Sequence, residues 1–407
     1  MSSFIDLTLP RFLQYVRYHT TSDSHVNQTP STAGQWELAC SLAKELKALG
    51  VLNTELTDSC YVIAHVPATR GKEQIPTIGL VAHLDTSEEV PGKNVQPIVV
   101  EQCDGETITL QNGLFIHKQE LAPYSGRSIV HTDGSTLLGA DDKAGIAAIM
   151  GATEYLLKHP ECAHGPFDII FTPDEETGKS LPNFPRDKTH PAVCYTVDGG
   201  QGGELEFECF NAYKTTVKCH GVSAHTGIAR GVLVNAITMA ATFAAMLPRS
   251  ESPESTDGRY GYYCPMEING TLEESMLLVF TRDFESEGTT RRLEALKYFA
   301  SAVEAQFPGG KVELSHIFQY GNMRKVIDTQ PQVVDMLKRA YTRAGVEICL
   351  QPIRGGTDGA QLCDWGIPTP NIFTGGRNFH SRTEWLSIDE LAAAASVINE
   401  LIQLWAE

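Results

Sequence analysis

Acidic and histidine side chains stand where several apolar runs of this chain end. His83 and Asp85 follow the run Ile78 to Ala82, and Asp141 and Asp142 precede a helical pattern. Glu175 and Glu176 follow Ile169 to Phe171, Asp198 follows Tyr195 to Val197, and His380 lies beyond Ile372. A single Asp at such a place is ordinarily a turn residue or a helix N-cap. Two imidazoles and three or four carboxylates converging on one sheet edge do different chemistry. That nitrogen and oxygen donor set suits zinc, with cobalt or manganese as substitutes.

His83 and Asp85 are two positions apart, so on an extended strand both side chains share a face. Asp85 is then placed to accept the second imidazole N–H and fix the tautomer of His83, as metal-ligating histidines require. Without other ligands, the same pair is an ordinary strand-end histidine bonded to an Asp. Glu175 and Glu176 offer two carboxylates at one strand exit, and adjacent side chains diverge, so the two do different jobs. One binds metal while its neighbour serves as general base on water. Consecutive loop acids otherwise form only a solvated surface.

The elements that must position these groups follow from periodicity. Phe4, Leu7, Phe12, Leu13 and Val16 interleave with polar residues as on an amphipathic helix, and Gln35 to Leu49 reads as a second helix ending at Gly50. Tyr61 to Val66 and Ile78 to Ala82 are of strand length. Asp142 to His159 reads as a helix, followed by strand-like runs Phe167 to Phe171 and Val193 to Val197. Strand, helix, strand in this order predicts an α/β fold with a mostly parallel sheet flanked by helices, whose ligands sit at the carboxyl ends of the strands. From Gly203 to Tyr320 the texture changes to alternating strands (Glu204 to Phe210, Tyr213 to Cys219, Met276 to Phe284, Lys311 to Phe318) around helices Leu233 to Met246 and Arg291 to Phe307. This is an inserted α+β segment with an antiparallel sheet. A helix from Gln332 to Arg343, a strand at Asn371 to Phe373 and a last helix after Ser387 return to α/β character, with Ser387 and Glu390 as a capping-box pair. Pro182 to Pro191 and Pro248 to Gly261 read as loops.

With 407 residues the chain exceeds the about 250–300 residues at which one core stops growing, so two domains are expected. A formal charge of -18 excludes nucleic acid and anionic membranes as partners, since both require a basic footprint. No apolar stretch reaches the roughly 18–20 residues of a bilayer span, and the N-terminal pattern is not that of a signal peptide, so the cytoplasm is the expected location. The 10 cysteines are scattered without a CxxC pair, as reduced thiols are.

The chain resembles the M20 metallopeptidases over nearly its whole length, and within them the aminopeptidases of tripeptides. The resemblance is carried by Ala82-His83-Leu84-Asp85-Thr86, by Leu137-Leu138-Gly139-Ala140-Asp141-Asp142-Lys143-Ala144-Gly145 and by Phe171-Thr172-Pro173-Asp174-Glu175-Glu176-Thr177-Gly178. Tyr195-Thr196-Val197-Asp198-Gly199-Gly200, Pro352-Ile353-Arg354-Gly355-Gly356-Thr357-Asp358-Gly359 and Asn371-Ile372-Phe373-Thr374-Gly375-Gly376 complete it, in the family's order.

The resemblance implies a zinc-peptidase-like catalytic domain in two parts, residues 1–206 and 321–407, with 207–320 inserted as a lid and dimerisation domain and hinges near Gly202 and Gly321. It implies two zinc ions per subunit: His83 and Asp198 on one, Glu176 and His380 on the other, Asp141 bridging. Asp142 then caps the following helix, Glu175 is the general base and Asp85 orients His83. His225 matches the insert histidine that assists oxyanion stabilisation and, in dimeric members, reaches the partner's active site; an exposed loop histidine is the plain alternative. Arg282 and Arg354 match substrate-binding positions suited to gripping a peptide's terminal carboxylate, with surface ion pairs as the alternative. Two departures are Thr226, where many members carry proline, and Ser381-Arg382-Thr383 before Glu384. The expected partners are short peptides and a second copy of the chain through the insert. Rival readings are a related dipeptidase or N-acyl amino acid amidohydrolase, and an inactive metal-binding homologue.

Overall fold

The computed structural model describes residues 2–407. The chain forms two compact units. The first comprises the residues up to Phe207 with Lys325–Gln351 and Thr357–Glu407; the second comprises Glu208–Arg324 and Pro352–Gly356. The pentapeptide that carries Arg354, grouped above with the C-terminal portion, therefore packs with the insert.

The first unit is built on an eight-stranded sheet. Its order is Thr54–Leu56, Val62–Val66, Phe167–Thr172, Ile78–His83, Val193–Gly199, Asn371–Phe373, Glu204–Glu206, Cys349–Leu350. The central strands, from Phe167–Thr172 to Asn371–Phe373, all run parallel, and antiparallel pairings flank them. Ile78–His83 and Phe167–Thr172 are buried at every residue, which is why they read as unbroken apolar runs: helices cover both faces of such a sheet. Helix Ala140–Lys158 packs on Ile78–His83 and Val193–Gly199, and against helices Ser2–Tyr15 and Ile388–Leu404. Ile63, Ile170 and Val81 are in register across three strands and share a core cluster with Tyr61, Leu181, Phe184, Cys194 and Leu362.

A smaller antiparallel sheet, Gly376–Arg377, Trp385–Ser387, Ile129–His131 and Ile98–Val100, was not foreseen. It matters because His380 lies in the connection between its first two strands. The predicted capping box is also absent. The Ser387 side chain makes no cap, and its backbone N–H already donates to Gly375 O at 3.0 Å. Glu390 instead accepts from Tyr124 Oη and Gly202 N–H and pairs with Arg377.

The second unit has a four-stranded antiparallel sheet in the order Tyr262–Gly270, Glu274–Asp283, Asn211–His220, Lys311–Tyr320. Val217, Cys219, Leu277, Val279 and Val312 from the sheet meet Met239 and Phe243 of helix Ala236–Met246 and Leu296 and Val303 of helix Ser286–Gln306. The predicted strand 204–210 is cut to Glu204–Glu206, which belongs to the large sheet. Strand Tyr262–Gly270 escaped notice because Pro265 interrupts its pattern; Pro is tolerated there because the strand lies at the edge and is bulged between Pro265 and Glu267.

Helix Ala140–Lys158 approaches the sheet most closely at Gly145, where an added Cβ would lie 1.8 Å from Val197 O and 2.3 Å from Asp142 Oδ1. Gly145→Ala is expected to destabilise the first unit by about 3 kcal/mol, the upper range of overpacking. Thermal unfolding followed by circular dichroism checks this; an unchanged midpoint contradicts the close approach.

Candidate metal centre

The parallel register brings the strand ends together. His83 closes Ile78–His83 opposite Thr172, the last residue of the neighbouring strand, and Asp198 is the penultimate residue of Val193–Gly199. The main-chain N–H of Asp198 donates to Asn371 Oδ1 at 3.0 Å, and the same Asn371 amide donates to Glu206 at 2.7 Å. Asp141 sits in the first turn of its helix but departs from helical geometry, with φ -83 and ψ 105, which turns its carboxylate toward the sheet edge.

Five predicted ligands converge there. His83 Nε2 lies 2.9 Å from Asp141 Oδ1 and 3.5 Å from Asp198 Oδ1. His380 Nε2 lies 3.1 Å from Asp141 Oδ2 and 2.9 Å from Glu176 Oε2. The two oxygens of Asp141 thus face different imidazoles. Ligand atoms of His83, Asp141 and Glu176 fall within 4.8 Å of one another, as do those of His83, Asp142 and Asp198. Asp142 is nevertheless committed to the main chain: it accepts from His83 N–H at 3.2 Å and from Gly145 N–H at 3.1 Å, the second being an N-cap contact.

Asp85 does more than was expected of it. His83 Nδ1 is 3.1 Å from the Asp85 carbonyl oxygen and 3.5 Å from its carboxylate, so the main chain makes the shorter contact with the imidazole. The carboxylate accepts from the N–H groups of Glu175 and Glu176 at 3.0 and 3.2 Å. Two further buried acids steady that turn. Asp174 accepts from Ser31 and Gln35, and Asp358 accepts from Thr172 and Ser180. Both lie inside motifs quoted above, but nothing in their spacing marks them as clamps. Glu89, also unforeseen, has its carboxylate 3.6 Å from His380 Nδ1, and His380 holds it below its ordinary range.

The electrostatics test whether a cation fits. Among protein groups alone, burial pushes the Glu176 carboxyl up to about 8 and that of Asp198 up to about 7, and it holds Glu175 well above the carboxylate range. Burial opposes the charged form of His83 and His380, yet the surrounding carboxylates outweigh it and raise both. Burial likewise opposes ionisation of Asp141, and the two imidazoles outweigh it and lower its pKa. Oε1 of Glu176 is buried and accepts no hydrogen bond from the described residues. Crowded, desolvated carboxylates with an unused acceptor are costly unless a cation compensates them. The donor set therefore fits a divalent ion.

The remaining predicted residues lie in the second unit. His225 is exposed, and its Nδ1 accepts from Gly227 N–H at 3.1 Å, capping a short 3-10 turn. Arg282 is buried, donates to the carbonyls of Tyr213 and Thr281 at 3.1 Å, and packs over the Phe280 and Tyr320 rings. Arg354 donates to the carbonyls of Gly258, Tyr260 and Thr256 and to the Thr256 hydroxyl, with Phe210 and Tyr262 beneath it. Among the described residues neither arginine forms the surface ion pair that was the plain alternative; each holds main chain of its own unit.

The sequence pattern of Peptidase family M20/M25/M40 matches residues 115–404. Peptidase T of Geobacillus thermodenitrificans is 44% identical over 402 residues, covering 98% of each chain. Among solved structures, aminopeptidase PepT from Bacillus cereus is similar in fold with a TM-score of 0.75 at 23% identity, covering 99% of both chains. A dinuclear metal-binding peptidase of the M20 family from Bacillus subtilis has a TM-score of 0.64 at 14% identity, covering 99% of this chain and 98% of its own.

Adding Zn2+ to chelator-treated protein is expected to stabilise it by about 2.7 kcal/mol once free metal reaches about 100 times its Kd. Differential scanning calorimetry reads this as a raised midpoint. Asp141→Ala should remove most of the shift; an equal shift in the variant means that the ion binds elsewhere.

Proposed function

The chain belongs to peptidase family M20/M25/M40, in its peptidase T group, and from that premise we propose that it removes the N-terminal residue from tripeptides using two zinc ions. The observation that carries the reading is the position of Asp141, whose two carboxylate oxygens face one imidazole each. In this reading His83 and Asp198 would hold one ion, Glu176 and His380 the other, and Asp141 would serve both. When bound, such ions supply Lewis acidity that activates water and polarises the scissile carbonyl.

The other steps belong to the chain's own groups. Glu175, one residue from a ligand and held by burial above the ordinary carboxylate range, takes the proton from water and passes it to the leaving amine. Asp85 keeps Glu175 and Glu176 in place through their N–H groups and stands beside His83. For His225 the family resemblance supports a part in stabilising the oxyanion. Arg282 and Arg354 are the groups suited to a terminal carboxylate, although Nη1 of Arg282 and both Nη atoms of Arg354 already donate to main-chain carbonyls. The substrate assignment is supported by the relative named peptidase T, similar over almost the full length of both chains.

Assays on tripeptides, dipeptides and N-acetylated amino acids, before and after chelation, test the reading. Release of the first residue from tripeptides is expected, lost on chelation and restored by Zn2+. Preference for dipeptides or acylated substrates moves the chain to a related amidohydrolase, and zinc binding without turnover makes it an inactive homologue.

Glu175→Gln should retain the wild-type zinc content by atomic absorption and lose about 10²–10⁴-fold in kcat. A variant with near-normal kcat removes Glu175 from the proton transfer.

A further inference from the structure

We propose that Glu384 is a positioning residue for the cation site: its carboxylate holds residues 138–141, and with them Asp141, in ligating geometry before any cation arrives. The inference rests on the reading of Asp141 as the shared ligand.

Glu384 Oε2 accepts from the N–H groups of Leu138 at 2.7 Å and Gly139 at 2.8 Å. Oε1 accepts from Ala140 at 2.7 Å and Asp141 at 3.2 Å. One buried carboxylate, on a residue 2% exposed, thus satisfies four consecutive main-chain donors. Successive N–H groups converge on one anion where the backbone alternates in hand, and Gly139, at φ 82, supplies the left-handed step. Two of the four N–H groups, those of Ala140 and Asp141, open helix Ala140–Lys158, where the helix ladder offers them no acceptor.

The consequence for the site lies in the backbone of Asp141. Its dihedrals are not helical, so the ladder does not hold this residue, and its side chain inherits whatever freedom its main chain has. The bond from Asp141 N–H to Glu384 removes that freedom without engaging the carboxylate oxygens. Glu384 also lies four residues beyond His380, in the same connection between Gly376–Arg377 and Trp385–Ser387. One short segment therefore presents the His380 imidazole to the Asp141 carboxylate and grips the Asp141 main chain. Contacts across 239 and 243 residues of chain are locked as a pair. Lys143 lies beside this loop: buried, it donates to Tyr18 O at 2.9 Å, and a Cβ on Gly139 would lie 3.6 Å from its Nζ. The ammonium thus packs against the loop that Glu384 holds, without bonding to a proposed ligand.

Glu384→Gln tests the inference, because the amide NH2 turns a donor toward main-chain donors. Competition against a chromogenic chelator is expected to show zinc affinity about 10–100-fold below wild type. Leu401→Ala, a core change in the last helix, is the control: it lowers stability and should leave zinc affinity unchanged. If Glu384→Gln does not fold, hydrogen exchange on the metal-free wild type decides. The amides of 138–141 should already be protected from exchange without zinc. Wild-type zinc affinity in Glu384→Gln, or amides protected only after zinc is added, overturns the proposal. A wild type that binds no zinc overturns the metal reading beneath it, an outcome distinct from either of these.

Discussion

The site depends on the cost of keeping many carboxylates out of water. Asp85, Asp141, Asp142, Asp174, Glu176, Asp198, Asp358 and Glu384 crowd the carboxyl ends of the central strands, and most of them are buried. A desolvated carboxylate persists only if hydrogen bonds or opposite charge compensate it. The chain divides its acids accordingly. Asp85, Asp142 and Glu384 spend their oxygens largely on main-chain N–H groups, Asp174 divides its own among the Ser31 N–H and hydroxyl and the Gln35 side-chain amide, and Asp358 spends its own on hydroxyls. Asp141, Glu176 and Asp198 direct oxygens toward the two imidazoles. Compensation by the backbone thus separates the acids that hold the site from those that face its centre.

A parallel sheet makes this division possible. In register, His83 and Thr172 end adjacent strands at one level, and Asp198 lies one strand further on, so three side chains reach the edge from rigid backbone. Asp141 must come from a helix, and the close approach at Gly145 sets that helix against Val197, one residue before Asp198. Glu176 and His380 come from loops, and those loops are held by many hydrogen bonds. Asp85, Asp174 and Asp358 steady the first, while the small antiparallel sheet anchors both ends of the second. Rigidity is supplied where regular structure is missing.

The same physics explains what could be read from the sequence. Central strands are covered on both faces, so they appear as apolar runs that stop abruptly, and His83 and Asp198 stand at two such stops. The acids and histidines that converge were therefore legible, and so were the helices with long apolar stripes. Strands of two or three residues, such as Gly376–Arg377 and Ile129–His131, have no room for a period, and the sheet they form was invisible. Asp174, Asp358 and Glu384 went unrecognised for another reason. Their partners are largely main-chain amides and hydroxyls distant in the chain, and an amide is carried by every residue except proline, so it leaves no signature. Glu390 misled for the opposite reason: its local spacing matched a capping box, while Tyr124 and Arg377, distant in sequence, claimed its carboxylate.

Neutral donors in the clamps have an electrostatic consequence. An arginine or lysine would compensate a buried acid as well as an amide does, but it would bring a full positive charge beside the ligands and compete with a divalent ion for them. Among the described residues, the ion pairs of Asp141, Glu176 and Asp198 are to His83 and His380, which are themselves ligands in the proposed site. Lys143, the buried ammonium next to Asp142, donates to a carbonyl. Main-chain dipoles thus stabilise individual carboxylates while leaving the summed negative charge of the cluster intact. A mobile divalent cation can cancel that charge, whereas a tethered ammonium would have cancelled it permanently.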